Sequence, residues 1–309
     1  MDNITEITSI QQYVDAIISA KEDDKQYYYR GEPRFYYKLL PSIARNTYIL
    51  NEQQLINKAK QVYPHVFKKE LSPLELLITL QHYKIPTRLL DITTNALVAL
   101  FFACNNPIDE NLEEHVQELD GKVYIFQDLR NSKYDGIENI LSRTYQLPVE
   151  SIYLDKYLEF IKSYPEYKDM QSILKLEIAE NIGENINFED FFKSEENRIL
   201  NDEFNIISYN PLLINPPMLF DRVRIQAGNF MLFFNKINQE ESEKKFLIEN
   251  DIQELDENHR YIKKIIKVKD EAKEDILENL KLFNISEGML FYDNIDKNCE
   301  IIKRSICGE

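Results

Sequence analysis

Residues 81–103, QHYKIPTRLLDITTNALVALFFA, join the end of one helix to a short strand and a second helix. The first helix should end near Tyr83, because Ile85 precedes a proline and that position disfavours helical geometry. TRLLDI predicts a strand, and NALVALFFACN predicts a helix that is apolar on nearly every face and therefore buried. Hydrogen-bonding side chains crowd this buried unit: Gln81, His82, Tyr83, Thr87, Arg88, Asp91, Thr93 and Asn95.

Elements on both sides of this stretch indicate an α+β fold. Apolar residues at helical spacing predict a helix over 8–20, and a second helix is expected over about 51–67. Strands are predicted for QYYYRGEP, GKVYIFQ, FNIISYNP, PPMLFDRVRIQAGNFMLFF and RYIKKIIKV. A closing helix is predicted for KEDILENLKLFNI and is expected to end at Asn284. Helices come first and strands late, which favours a mixed, mostly antiparallel sheet over alternating βαβ units.

Two helix starts carry capping signals. Ser72 is a candidate N-cap, with a proline at the next position and Glu75 completing a capping box. Thr93 or Thr94 is expected to cap the buried helix that follows TRLLDI.

Composition excludes several kinds of site. The 309 residues include only 7 Gly, with no G-x-G-x-x-G and no G-x-x-x-x-G-K, so no phosphate-binding glycine loop is expected. Three cysteines without C-x-x-C spacing fit a reducing compartment. Four scattered histidines make a zinc site an unfavoured prediction, and no metal is expected. With no signal peptide and no long apolar run, the sequence predicts a cytoplasmic protein that does not enter the membrane.

Charge is unevenly distributed along the chain. The formal net charge is −16, so nucleic acid should not be bound through phosphate neutralisation alone. Residues 150–205 contain 14 Asp or Glu and 6 Lys or Arg, a net of −8, and their pattern is mostly helical. Residues 1–106 contain 12 basic and 11 acidic side chains, a net of +1, so an anionic small molecule is compatible with that part.

Arg30 is the first candidate binding residue. It is expected on a strand, and Gly31 after it would let a backbone or a ligand approach closely. Its guanidinium group could hold a phosphate or a carboxylate, or it could form a structural ion pair with Asp91 or Glu32.

Other candidates lie beside the buried strand. Arg88 and Asp91 are three residues apart on a strand and should point to opposite faces, so each needs its own partner. Gln81, His82 and Tyr83 could cap the preceding helix or could line a ligand ring.

DRVRIQAGNF is a third candidate. Read as a strand, it places Arg222, Arg224 and Gln226 on one face and Asp221 on the other. A basic edge strand that resists aggregation is an equally good interpretation.

Residues 29–31, YRG, together with 81–103, resemble the FRG domain, a family named for its Phe/Tyr-Arg-Gly signature. DRVRIQAGNFMLF and IIKVKDEAKEDILENLKLFNISEGMLFYDNID are similar to later blocks of that family. The resemblance predicts a single FRG-type domain over 1–309, with an acidic, mostly helical insertion at 130–205. Lys84 stands where the family usually has Gly, which suggests a differently shaped turn, and Ile92 stands where an aromatic residue is usual.

The FRG motifs look like those of ADP-ribosyltransferases. That likeness implies an ADP-ribosyltransferase-like sheet, NAD as the substrate and ADP-ribose transfer by a bacterial or phage toxin or antiphage defence protein. Arg30, Asp91 and Gln226 would be catalytic, with Asp221 as an alternative to Gln226. The residues implied in NAD binding are Arg30, Gly31, Gln81, His82, Tyr83, Thr87, Arg88, Thr93 and Asn95.

Alternatives remain open at this level. The acceptor could be a nucleic acid or a protein, and the acidic insertion could bind an antitoxin or another protein partner. The same pocket could belong to a non-catalytic sensor of a nucleotide or a phage-derived ligand. A nuclease is disfavoured, because no convincing carboxylate pair or His-x-His arrangement is present.

Overall fold

The computed structural model describes residues 4–45, 48–105, 119–127, 151–153, 211–216, 219–233, 235–240, 245–252 and 254–291. Most of the acidic segment at 130–205 lies outside these ranges, as does most of FNIISYNP. Within that segment, Ser151–Tyr153 forms a strand.

Ten strands lie in these ranges and form two sheets. They are β1 (Ile4–Ile7), β2 (Tyr28–Glu32), β3 (Leu89–Thr93), β4 (Gly121–Phe126), β5 (Ser151–Tyr153), β6 (Leu212–Ile214), β7 (Gly228–Leu232), β8 (Asn235–Glu240), β9 (Lys245–Ile252) and β10 (Ile262–Val268). The main sheet has seven strands in the order β1-β10-β4-β2-β3-β7-β6, and the smaller one has the order β5-β9-β8. Among the described strand pairs, β1–β10 is parallel and the others are antiparallel. The mixed, mostly antiparallel sheet predicted from the sequence is confirmed.

Seven α-helices lie in the described ranges. They are α1 (Ile10–Ala20), α2 (Glu52–Val62), α3 (Pro73–His82), α4 (Ala96–Cys104), α5 (Asp221–Ile225), α6 (Lys273–Lys281) and α7 (Glu287–Leu290). Short 3-10 turns occupy Ser42–Ala44, Tyr48–Asn51 and Asp270–Ala272. None of the helices in the described part of the chain has the length and apolar character that a membrane crossing requires.

The turn between α3 and β3 agrees closely with the sequence. The capping box is present, since the Ser72 hydroxyl accepts from the backbone of Glu75 and the Glu75 carboxylate accepts from the backbone of Ser72. The helix ends at His82, as expected. Lys84 then adopts φ 62°, the left-handed conformation that glycine takes without a Cβ penalty. The turn therefore keeps a glycine-like shape although a lysine occupies the position.

Three helix boundaries and one strand differ from the predictions. Helix α2 ends at Val62 instead of near residue 67. The cap of α4 is Asn95, whose side chain accepts from Leu97 and Val98, while the Thr93 hydroxyl accepts from the Asn95 backbone. Helix α6 ends at Lys281 instead of Asn284. Strand β1 was not predicted, because four residues before a helix carry too little periodicity to indicate a strand.

The strand predicted across DRVRIQ is wrong, because Asp221–Ile225 is a helix and β7 begins at Gly228. Alternation of Arg with Val and Ile imitates a strand in the sequence. In the structure, the backbone N–H of Gln226 donates to Arg222 at 3.0 Å, and Ala227 at φ 47° turns the chain into β7. Tertiary packing therefore overrides the local pattern.

Helices cover one face of the main sheet in two groups. A cluster of α1, α4 and α6 side chains packs on β2, β4 and β10, and a cluster of α2 and α3 side chains packs on β3, β6 and β7. Helix α4 lies very close to the sheet, because a Cβ at Gly31 would lie 1.9 Å from the carbonyl oxygen of Ala99. The expectation that Gly31 admits a close backbone approach is confirmed. The opposite face packs mainly against the 39–55 region and residues around Tyr261.

Candidate functional site

The main sheet is split between β2 and β3. These neighbouring strands share one register pair, Tyr29 with Thr93, whereas β2 pairs with β4, and β3 with β7, over five residues each. A cleft of about 600 Å³ opens beside the split, between α3 on one side and α4 on the other. Its lining also includes residues of α5 and α7. The split therefore exposes the middle of β3 to the cleft, whose volume is typical of small-molecule sites.

Asp91 is the exposed side chain of that central strand. The other four residues of β3 are buried. Gln81 donates from Nε2 to Asp91 Oδ2 at 3.0 Å, and the buried Thr87 hydroxyl donates to Gln81 Oε1 at 2.6 Å. The Thr87 hydroxyl hydrogen-bonds to the side-chain carbonyl oxygen of Gln81. The side-chain amide is therefore oriented with its N–H groups toward Asp91. A carboxylate is thus held at the cleft by a hydrogen-bonded chain from α3 and its turn.

Arg30 bridges the two strands of the split. Its Nε donates to Glu32 Oε1 at 2.6 Å, and one terminal nitrogen donates to the backbone carbonyl of Asp91 at 2.6 Å. Glu32 is buried, so the pair is shielded from solvent. Of the two structural partners considered for Arg30, Glu32 forms the ion pair, and Asp91 contributes its carbonyl. No acceptor for the other terminal nitrogen of Arg30 is found among the described residues.

An aromatic wall closes one side of the cleft. The rings of His82 and Phe220 stack with centroids 3.9 Å apart and planes within 5°. Tyr83 packs edge-on against both rings and is half exposed, outside the cleft lining. Gln81 and His82 therefore line the cleft, while Tyr83 packs against this wall from outside.

Helix α5 brings two of the three predicted strand residues into the cleft. Arg222 and Gln226 are four residues apart and share a side of the helical turn, whereas Arg224 points away. The Arg222 guanidinium lies 5.2 Å from the Phe291 ring centroid, and Gln226 donates from Nε2 to the Leu290 carbonyl at 3.0 Å. Arg224 forms an exposed ion pair with Asp221 at 2.9 Å. Asp221 is thus directed away from the cleft lining.

Arg88 does not belong to this cleft. It is 3% exposed and forms a bidentate pair with the equally buried Glu52, with Nη2 to Oε2 at 2.7 Å. Its side chain leaves the sheet away from Asp91, as the spacing predicted. Thr87 acts through Gln81, and Asn95 caps α4, so neither lines the cleft. Arg88 is therefore not among the residues that line the cleft.

The cleft unites the three residues predicted to be catalytic. Arg30, Asp91 and Gln226 all line it, together with the predicted binding residues Gly31, Gln81, His82 and Thr93. Sequence reasoning missed Phe220, Glu287 and Phe291 as lining residues, because they lie beside or within the later sequence blocks but carry no pattern that marks them as part of a site.

Metal and thiol chemistry find little support in the described residues. No group of three or more His, Cys, Asp or Glu side chains is placed there to hold a metal ion. Burial raises the pKa of the Cys104 thiol to about 12, so this cysteine stays protonated and is a poor nucleophile.

Comparison with known families supports the resemblance over part of the chain. Residues 25–112 match the family model of the FRG domain. That segment contains β2, α2, α3, β3 and α4, and hence the split strands, Arg30 and Asp91. No curated protein and no solved structure matches the chain.

Proposed function

We propose that the cleft binds NAD and that the protein transfers ADP-ribose from it to an acceptor. The observation that carries this proposal is the exposed carboxylate of Asp91 at the split, held by Gln81, while Arg30 donates to the backbone carbonyl of the same residue. An aspartate in the centre of a sheet is unfavourable for stability, so a role in ligand chemistry is a reason for its presence.

The proposed step breaks the bond between the nicotinamide nitrogen and ribose C1′. The bonding electrons leave with nicotinamide, and positive charge develops on the ribose. Asp91 would stabilise that charge, because a fixed anion beside a developing cation lowers the barrier without reorganising. The acceptor nucleophile then bonds to C1′ and loses a proton to solvent or a base. Gln226 would orient a ribose hydroxyl, since an amide can hydrogen-bond but cannot accept the proton as a carboxylate does.

Recognition of NAD would use the cations and the ring surfaces of the same cleft. The second terminal nitrogen of Arg30 and the guanidinium of Arg222 are the donors proposed for the pyrophosphate. His82, already stacked on Phe220, is the ring surface proposed for the nicotinamide side. The acceptor would be a nucleic acid or a protein. The proposed setting is a toxin or antiphage effector, with an antitoxin or another partner on the acidic insertion.

Nicotinamide release from NAD tests the proposal. Wild-type protein should release nicotinamide, and both Asp91→Asn and Arg30→Ala should lower the rate by at least about a hundredfold, a magnitude seen when a transition-state group is removed. Asp221→Asn is the matched control, because it neutralises an exposed carboxylate on α5 that points away from the cleft. Far-UV circular dichroism melts would confirm that each variant folds. Wild-type rates in both cleft variants would contradict the proposal.

A second function, a sensor that binds the nucleotide without cleaving it, is favoured by one observation. Arg30 already donates to Glu32 and to the Asp91 carbonyl, which is typical of a structural arginine. For a sensor, NAD would bind and remain intact over hours in the release experiment. Binding with nicotinamide release would exclude it.

A further inference from the structure

A second cleft lies on the opposite face of the main sheet. It is about 650 Å³ and is bordered by Phe35, Tyr36 and Tyr37 on one side and by the loop 254–258 on the other. Lys122 of β4 forms part of its lining. Neighbouring Gly121 and Val123 face α4, so Lys122 points to the opposite face of the sheet, on the side of its register partner Glu32. No described residue lines both clefts.

Lys122 is a buried cation with few hydrogen bonds. Its side chain is 3% exposed, and its ammonium lies 5.0 Å from the Phe35 ring centroid and 4.9 Å from that of Tyr124. An ammonium has three N–H donors. Among the described residues, its only hydrogen bond is a long one of 3.3 Å to Glu257. Burial lowers the pKa of Lys122, while Glu257 opposes that effect.

The buried carboxylates near Lys122 form ion pairs with other cations. Glu32 is its register partner across β2, but it accepts from Arg30. On the other side, Lys267 is the register partner in β10, and Asp120 pairs with it at 3.3 Å. Glu257 is 45% exposed and lies on the loop that borders the cleft. Glu257 supplies the carboxylate that hydrogen-bonds to Lys122, while Glu32 and Glu254 attract the ammonium without a hydrogen bond. An exposed side chain on a loop is easily displaced.

We propose that this second cleft binds a small molecule carrying one carboxylate or phosphate group, with Lys122 as the anchor. Glu257 occupies the place of the ligand anion when the site is empty. The three aromatic residues of the 35–37 segment would pack on the body of the ligand, which favours an aromatic or otherwise apolar body. Acidic residues Glu254 and Asp256 at the rim disfavour polyanions such as nucleic acid.

Opposite effects of two substitutions make this proposal testable. Benzoate and inorganic phosphate serve as probes, each titrated into the full chain and followed by NMR or calorimetry. Lys122→Met keeps the length of the side chain and removes its charge, so probe affinity should fall at least tenfold. Glu257→Gln removes the competing carboxylate without burying a new group, so affinity should rise at least fivefold. Binding of benzoate alone or phosphate alone identifies the anion.

A matched control lies on α6, which packs on the other face of the sheet. Lys281 and Glu278 form an exposed ion pair there, with the Lys281 side chain 56% exposed, so Lys281→Met should change affinity less than twofold. Equal affinity of wild type and Glu257→Gln would overturn the proposal, as would the absence of binding in both. The surface variant Glu257→Gln keeps this test decisive if Lys122→Met fails to fold. None of these outcomes depends on NAD chemistry in the first cleft.

Discussion

Asp91, Gln81 and Thr87 show how much a single residue's role depends on its partners. The sequence singled out all three because they crowd a buried strand. Sequence spacing could not predict which of them line the cleft. The turn between α3 and β3 brings the Thr87 hydroxyl to Gln81, and this contact depends on the folded shape of the turn. Arg88 was predicted to need a partner, but Glu52 lies 36 residues away in the chain and no local pattern indicates it.

Lys84 offers a test of backbone strain at this scale. A side chain in the left-handed region costs about 1–2 kcal/mol, and glycine loses roughly 0.5–1 kcal/mol through its extra freedom in the unfolded chain. Lys84→Gly should therefore stabilise the protein by about 0.5–1 kcal/mol in urea unfolding. Asn284→Gly is the control, because Asn284 has φ 60° but asparagine tolerates this region, and its change should be smaller. A loss of stability in Lys84→Gly would contradict the strain.

At the scale of elements, sequence periodicity predicted the long, amphipathic or uniformly apolar segments well. Helices α1, α2, α3 and α4 and strand β3 lie where the patterns placed them. The failure at α5 has a physical cause: five residues form too short a segment for periodicity, and packing of Val223 beneath the turn decides the conformation. That failure affects the candidate site, because helical spacing places Arg222 in the cleft lining and directs Arg224 away from it.

The contact of α4 with the sheet can be tested through Gly121. A Cβ there would lie 2.1 Å from the carbonyl oxygen of Ala103, so Gly121→Ala must push α4 away from β4. We expect a loss of about 3 kcal/mol, at the upper end for overpacking, measured as a lower urea midpoint. Gly228→Ala meets nothing nearer than 3.3 Å and should lose about 1 kcal/mol or less. Equal losses in the two variants would contradict this packing.

Across the whole molecule, the split between β2 and β3 organises both faces of the sheet. It opens the first cleft beside α3 and α4. On the other face of the sheet, Glu32 of β2 lies beside Lys122. The mixed, mostly antiparallel sheet could be predicted from strand patterns. The strand order and the split could not, because they depend on pairings between segments distant in sequence, such as β3 with β7.

The ends of β4 and β10 are joined by charges that give the whole protein a pH dependence. Burial alone would raise the pKa of Asp120, but hydrogen bonds from Lys269, from the Asp270 backbone and from Lys267 hold it below its ordinary value. The carboxylate then stabilises the fold above the unfolded pKa of about 3.9 and loses that contribution as the pH falls through the folded pKa. The stability difference between wild type and Asp120→Asn should therefore shrink as urea unfolding is repeated from pH 5 down to pH 2. A constant difference would contradict the ion-pair cause.

Equilibrium binding of NAD tests the central claim, that the cleft beside the strand split is a nucleotide site, most directly. Calorimetry would compare wild type with Arg222→Ala and Arg224→Ala, two arginines on the same helix of which only Arg222 lines the cleft. We predict saturable binding that weakens about tenfold in Arg222→Ala, equivalent to roughly 1.4 kcal/mol for one charged hydrogen-bonding group, and that stays unchanged in Arg224→Ala. No saturable binding to the wild type, or equal affinity in the two variants, would contradict the claim.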